Sequence, residues 1–219
     1  MAATKAAAKP QGAPVTPAYW AEACKHLMKK DRVMKRLIPQ FGEACLETRG
    51  DAFVTLARSI VGQQISVKAA QTVWDRFAAL PKRMEPAQVL RLKVDDMRAA
   101  GLSARKVEYL VDLALHFENG SLHVASWESM GDEEIIQELV SIRGIGRWTA
   151  EMFLIFHFLR PNILPLDDIG LINGISLNYF SGEKVSRSDA REVAAAWAPY
   201  CSVATWYIWR SLDPLPVAY

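Results

Sequence analysis

Two adjacent acids, Asp167 and Asp168, stand between Pro165-Leu166 and an apolar stretch that opens at Ile169. A carboxylate at the start of a helix has two chemical uses. It can cap the helix by accepting hydrogen bonds from first-turn amides. Shielded from water, it can instead stabilise a developing positive charge and orient a water molecule. The pair alone favours the cap. What raises the second use is Gly144-Ile145-Gly146, with Gly144 lying 24 positions before Asp168. Leu139 and Ile142 precede this tripeptide on an amphipathic stretch, and Arg147-Trp148-Thr149-Ala150 follows at once. The pattern predicts two helices joined by a sharp turn over residues 139–150. Glycine at 144 and 146 permits φ > 0 and removes side chains, while Ile145 packs down between the helices. The first amides of the second helix then point outward together, with the helix dipole behind them, and make a phosphate site. That helix, ~11 residues and ~16 Å long, is followed by a returning loop. Asp168 could therefore sit across a cleft from the phosphate turn.

Three further constellations are visible. Gln63-Gln64 follows an apolar run, where polar residues often end a helix. Trp148, Trp197, Trp206, Tyr207 and Trp209 flank the Asp-Asp pair in sequence; Trp197 and Trp206 are expected in the core. The histidines, His26, His116, His123 and His157, lack paired ligand spacing, and His157 reads as a core residue. No metal site is predicted.

The elements that must position these groups are helical almost throughout. Periodicity and breakers predict helices over 17–30, 32–41, 52–62, 66–79, 86–92, 95–100, 103–117, 132–141, 147–158, 168–180, 188–198 and 201–211. Thr16-Pro17 reads as an N-cap and first helical position, after an Ala/Lys/Pro-rich tail over 1–16. Strand alternation and 20–50-residue repeats are absent, so the fold class is all-α. The 219 residues carry a net charge of +2, but residues 1–50 hold nine Lys/Arg against four Asp/Glu. A local basic patch is compatible with nucleic acid and does not establish it. The scattered Cys24, Cys45 and Cys201 fit neither a disulfide framework nor a zinc or iron–sulfur site, and suggest a reducing compartment. The uncharged run 193–209 is shorter than the ~20 residues of a membrane span, and is expected as a buried core helix. No signal peptide is visible.

Leu139-x-x-Ile142-x-Gly-Ile-Gly-Arg-Trp-Thr-Ala, followed by Leu164-Pro-Leu-Asp-Asp, resembles the helix-hairpin-helix base-excision DNA glycosylase superfamily. The branch it most resembles is DNA-3-methyladenine glycosylase II, which residues 59–66, Ser-Ile-Val-Gly-Gln-Gln-Ile-Ser, also match. The resemblance covers roughly residues 50–212. It implies a compact two-lobed helical fold, with 17–51 plus 161–219 as one lobe, 52–160 as the other, and a DNA-binding cleft between them. It implies Asp168 as the catalytic carboxylate with Asp167 capping the helix, and Trp148 and Trp209 as walls of the damaged-base pocket. Gly144, Ile145, Gly146, Arg147 and Thr149 would form the DNA-binding hairpin, and Gln63 or Gln64 the wedge that enters the duplex. Bifunctional members carry a lysine where this chain has Trp148, so lyase activity is not expected. Met152 and Arg210 stand where relatives can have aromatics, which leaves the lesion open. The expected reaction is excision of alkylated purines from double-stranded DNA by a monomer. No cofactor is required for that chemistry, no iron–sulfur cluster is expected, and a monovalent cation could bind the hairpin backbone. The expected setting is the cytoplasm, nucleoid-associated, of a bacterium or the nucleus of a eukaryote. Another lesion class (hypoxanthine, ethenoadenine) and a non-catalytic DNA-binding module remain as alternatives.

Overall fold

The computed structural model describes residues 17–42, 45–46 and 50–212. The expected tail and the Thr16 cap lie outside them. The described residues form twelve α-helices and no strand: α1 (Trp20–Lys30), α2 (Arg32–Leu37), α3 (Ala52–Gly62), α4 (Val67–Ala78), α5 (Pro86–Val89), α6 (Val94–Ala99), α7 (Ala104–Glu118), α8 (Asp132–Val140), α9 (Arg147–Phe156), α10 (Ile169–Tyr179), α11 (Arg187–Ala194) and α12 (Cys201–Leu212). Short 3-10 turns follow α2 and precede α8.

Side-chain caps set many of the starts. Asp51 accepts from Phe53 N and Val54 N ahead of α3, and Ser66 accepts from Ala69 N ahead of α4. Ser103 does the same for α7, and Ser186 with Asp189 makes a capping box on α11. The uncharged run 193–209, expected as buried core and divided between helices over 188–198 and 201–211, is divided, but its first helix ends early. α11 stops at Ala194, a turn follows, and α12 starts afresh at Cys201. That turn carries Trp197, fully buried, whose indole N–H donates to Asp31 Oδ2 at 3.0 Å. Asp31 also accepts from Tyr179 Oη and from Val33 N and Met34 N, so one buried carboxylate ties α2 to the end of α10 and to the 194–201 turn.

α3 packs on α4, α7 and α9, and α8 on α9, while α12 packs on α1, α2 and α10. The approach of α10 to α12 is unusually close. A Cβ on Gly174 would overlap the Ile208 side chain. Gly174→Ala is therefore expected to cost about 1–3 kcal/mol of overpacking. For a chain of this size that lowers the melting temperature by roughly 3–10 °C, readable by circular dichroism. An unchanged melt would mean the two helices can part freely.

Candidate active site

α10, α9 and α12 each deliver one group to a single point. Asp168 is the N-cap of α10 and accepts from Leu171 N at 2.6 Å through Oδ1. Trp209, from the last turns of α12, donates its indole N–H to the same oxygen at 2.7 Å. Trp148, the second residue of α9, donates to Oδ2 at 2.9 Å. The carboxylate is only 7% exposed. Three N–H donors thus fill three of its roughly four lone-pair sites, fix its plane, and leave one direction for a further group.

The expected division of labour between the two acids is corrected here. Asp168 makes the cap itself. Asp167 turns away and pairs with Arg187 at 2.6 Å. A flanking carboxylate that reaches a guanidinium has no need of the helix amides, whereas Asp168, enclosed by two indoles, does. Two contributors were not among the expected site residues. Gly170 admits Trp209, because a Cβ there would lie 3.0 Å from Asp168 Oδ1 and 3.2 Å from Trp209 Cδ1. Phe156 stacks on Trp209 with centroids 5.8 Å apart and planes at 11°, covering one face of that indole. The Gly170–Gly174 spacing along one face of α10 was the available signal for the first.

The hairpin forms between α8 and α9. Ile145 N donates to Ile142 O at 3.1 Å, and the Ile145 side chain is 4% exposed, down between the helices. Only one glycine needs its backbone freedom, contrary to expectation. Gly144 sits at φ 85°, with the Tyr109 ring where a Cβ would be. Gly146 caps α9 at φ −93°, which any residue can adopt, and a Cβ there would meet nothing within 4 Å. Its value is the open space in front of the amides that open α9. Those of Arg147, Trp148 and Thr149 have no carbonyl one turn back within the helix.

Two hairpin side chains are placed otherwise than expected. Arg147 forks onto Glu133 at 2.9 and 2.8 Å, and its Nε donates to Glu151 at 3.1 Å. Its guanidinium is committed to carboxylates, and its donation holds the Glu133 carboxyl down to about 2. Burial pushes the Glu151 carboxyl up, against the opposing pull of Arg147. Thr149 is buried, at 7% exposed.

The two glutamines separate. Gln63 ends α3 and its Nε2 donates to Gly144 O at 2.9 Å, tying that turn to the hairpin. Gln64 is exposed, in the left-handed region at φ 59°. Met152 is buried, His157 stacks on Phe153, and Arg210 lies over the rings of Phe41 and Trp206 at 5.3 and 5.5 Å. A cavity of about 330 Å³ sits beside Asp167, Arg147, Glu151 and Arg187. Its charged lining suits water better than an electron-poor ring, and none of Asp168, Trp148 and Trp209 lines it.

The family model described as HhH-GPD superfamily base excision DNA repair protein matches residues 57–199. A Bacillus subtilis relative is 33% identical over 169 residues, 72% of this chain, and the chain spans 58% of that protein's length. The crystal structure of a Bacillus halodurans DNA-3-methyladenine glycosidase superposes with a TM-score of 0.81 at 35% identity, covering 87% of this chain and 89% of that one. A Schizosaccharomyces pombe 3-methyladenine DNA glycosylase bound to abasic DNA superposes at 0.76 with 29% identity, covering 90% and 99%.

Proposed function

The chain belongs to the HhH-GPD superfamily of base excision DNA repair proteins, and from that membership and the Asp168 site we propose that it excises alkylated purines from double-stranded DNA as a monofunctional glycosylase. The observation that carries this is the buried carboxylate held by the indoles of Trp148 and Trp209 and the amide of Leu171. The solved relatives named as 3-methyladenine glycosylases, one of them on abasic DNA, support it.

A purine alkylated at N3 or N7 carries positive charge and leaves readily. The demand on the protein is therefore at the sugar. As the C1′–N bond breaks, its electron pair departs with the base and positive charge gathers on C1′ and the ring oxygen. The Asp168 carboxylate stabilises that charge most strongly once water is excluded. Water then adds its oxygen to C1′ and loses a proton to Asp168 or to solvent, leaving an abasic site and a free base. Trp148 and Trp209 hold the carboxylate by their N–H edges and offer ring faces to the cationic base. The amides of Arg147, Trp148 and Thr149 bind a backbone phosphate in front of Gly146. Gln64 is the wedge that fills the vacated stack. With Trp148 in place of a lysine, the hairpin supplies no amine for strand cleavage.

No residue above requires a cofactor. Among the described residues, no group of three or more His, Cys, Asp or Glu is arranged to hold a metal ion. A monovalent cation at the hairpin would share Ile142 O with Ile145 N, and Gly144 O with Gln63 Nε2. We further assign residues 17–51 with 161–219, and 52–160, to lobes flanking the DNA, and expect a monomer. It acts in the cytoplasm, nucleoid-associated, of a bacterium or in the nucleus of a eukaryote. No helix among the described residues is long and apolar enough to cross a membrane.

The test is release of free 3-methyladenine and 7-methylguanine from methylated duplex DNA, run beside duplexes carrying hypoxanthine or ethenoadenine, followed by chromatography, with strand scission scored on the same duplexes. Base release without scission is expected. Release of hypoxanthine or ethenoadenine alone would move the lesion class, and release of no base would leave a DNA-binding module.

A further inference from the structure

Gln64 occupies a strained backbone position, and its surroundings must hold it there. Three anchors do so. Before it, Lys106 Nζ donates to Val61 O at 2.7 Å, closing the end of α3. Beside it, Gln63 Nε2 donates to Gly144 O at 2.9 Å, 81 residues away in sequence. After it, Ser66 caps α4. The hairpin is held from the same helix that supplies Lys106. Tyr109 of α7 packs against Gly144, and Asp112 of α7 accepts from Arg143 N at 2.8 Å. One helix therefore carries both the exposed glutamine turn and the phosphate turn, and the Gln63 amide bridges them directly. The peptide between Gly144 and Ile145 is gripped on both sides, its oxygen by Gln63 and its N–H by Ile142 O. That peptide immediately precedes Gly146 and the outward amides of α9.

We propose that Gln63 is a positioning residue that sets the Gln64 wedge at a fixed distance from the phosphate-binding hairpin, with α7 as the beam that carries both. The proposal rests on Gln64 being the wedge. Its physical consequence is that gripping the backbone and filling the gap become one event. A hairpin that has seized a phosphate presents Gln64 already aligned with the stack, so less ordering remains when the nucleotide leaves the helix. Without the bridge each part would still bind DNA, but discrimination between intact and opened duplex would fall.

The readout is the ratio of dissociation constants for an intact duplex and for one carrying a tetrahydrofuran abasic analogue opposite 2-aminopurine, whose fluorescence reports the wedge. Gln63→Met keeps the length and removes the donor. The expected result is a drop in the ratio of about tenfold, with affinity for intact duplex essentially unchanged and the melting temperature lower by only a few degrees, since the fold loses one hydrogen bond. The Gln63→Met/Gln64→Ala double variant should then match Gln64→Ala alone, because a positioning residue has nothing left to position. Should Gln63→Met fold poorly, Lys106→Met removes the neighbouring anchor and is expected to act in the same direction. Equal weakening on both duplexes, or losses that add in the double variant, would overturn the proposal. So would a normal ratio in Gln64→Ala. A protein that releases no base at all would fail the glycosylase assignment instead, and the binding ratio would still decide the role of Gln63.

Discussion

Asp168→Asn should bind lesion-bearing DNA nearly as well as the parent and fail to excise. The substitution is close to isosteric, and asparagine caps a helix about as well as aspartate. Its amide oxygen can keep both bonds now made by Oδ1, from Leu171 N and Trp209 Nε1. The other position becomes an NH2 group facing the Trp148 indole N–H, which now donates to Oδ2. Two donors then meet, at a cost of about 1–3 kcal/mol for the unsatisfied group. Removing the negative charge from beside the developing sugar cation is the larger loss, roughly 10²–10³-fold or more in the chemical step. Single-turnover excision at saturating enzyme, well below the melting temperature, isolates that step from binding. Excision within about tenfold of the parent, a deficit of only ~1.4 kcal/mol, would remove Asp168 from the chemistry.

Much of this geometry is legible in the residues alone, and the remainder is not for a definable reason. Local rules reach the helices: the segment expected at 52–62 is α3, and Ser66, expected at a helix edge, is the cap of α4. They overreach at 86–92, where α5 stops at Val89. The 3-10 turn at Val124–Ser126 has no counterpart among the expected elements, since short turns leave no periodicity. Long-range pairings lie outside such rules altogether. Nothing at Trp148 or Trp209 indicates that their N–H edges meet one carboxylate across 20 and 41 residues. Nor does Arg147 signal that Glu133, 14 residues earlier, will absorb its charge. Residue types therefore identify a hairpin, an acid and two indoles. Which of Asp167 and Asp168 caps the helix, and which of Gln63 and Gln64 stands exposed, depends on neighbours that only the packed structure brings together.

The two hairpin glycines should behave oppositely when each is replaced by alanine, because their backbones differ. Gly144 sits at φ 85°, where an L side chain costs ~1–2 kcal/mol. Its new Cβ would also lie inside the Tyr109 ring, adding about 1–3 kcal/mol of overpacking. Tyr109 cannot withdraw simply, since α7 also carries Lys106 and Asp112 on their own anchors. Gly144→Ala should therefore melt lower by roughly 5–15 °C and lose affinity for DNA, because the displaced turn takes the α9 amides with it. Gly146, at φ −93° and with no atom within 4 Å of where a methyl would stand, should accept alanine without a change in melting temperature. The methyl would nevertheless occupy the space in front of the amides, where a phosphate must approach. Gly146→Ala is thus expected to weaken DNA binding in a normally folded protein. Thermal melts and fluorescence-anisotropy titrations on one abasic duplex separate the two effects. If Gly144→Ala melts normally, Tyr109 does not brace the turn. If Gly146→Ala binds normally, the phosphate does not dock at the start of α9.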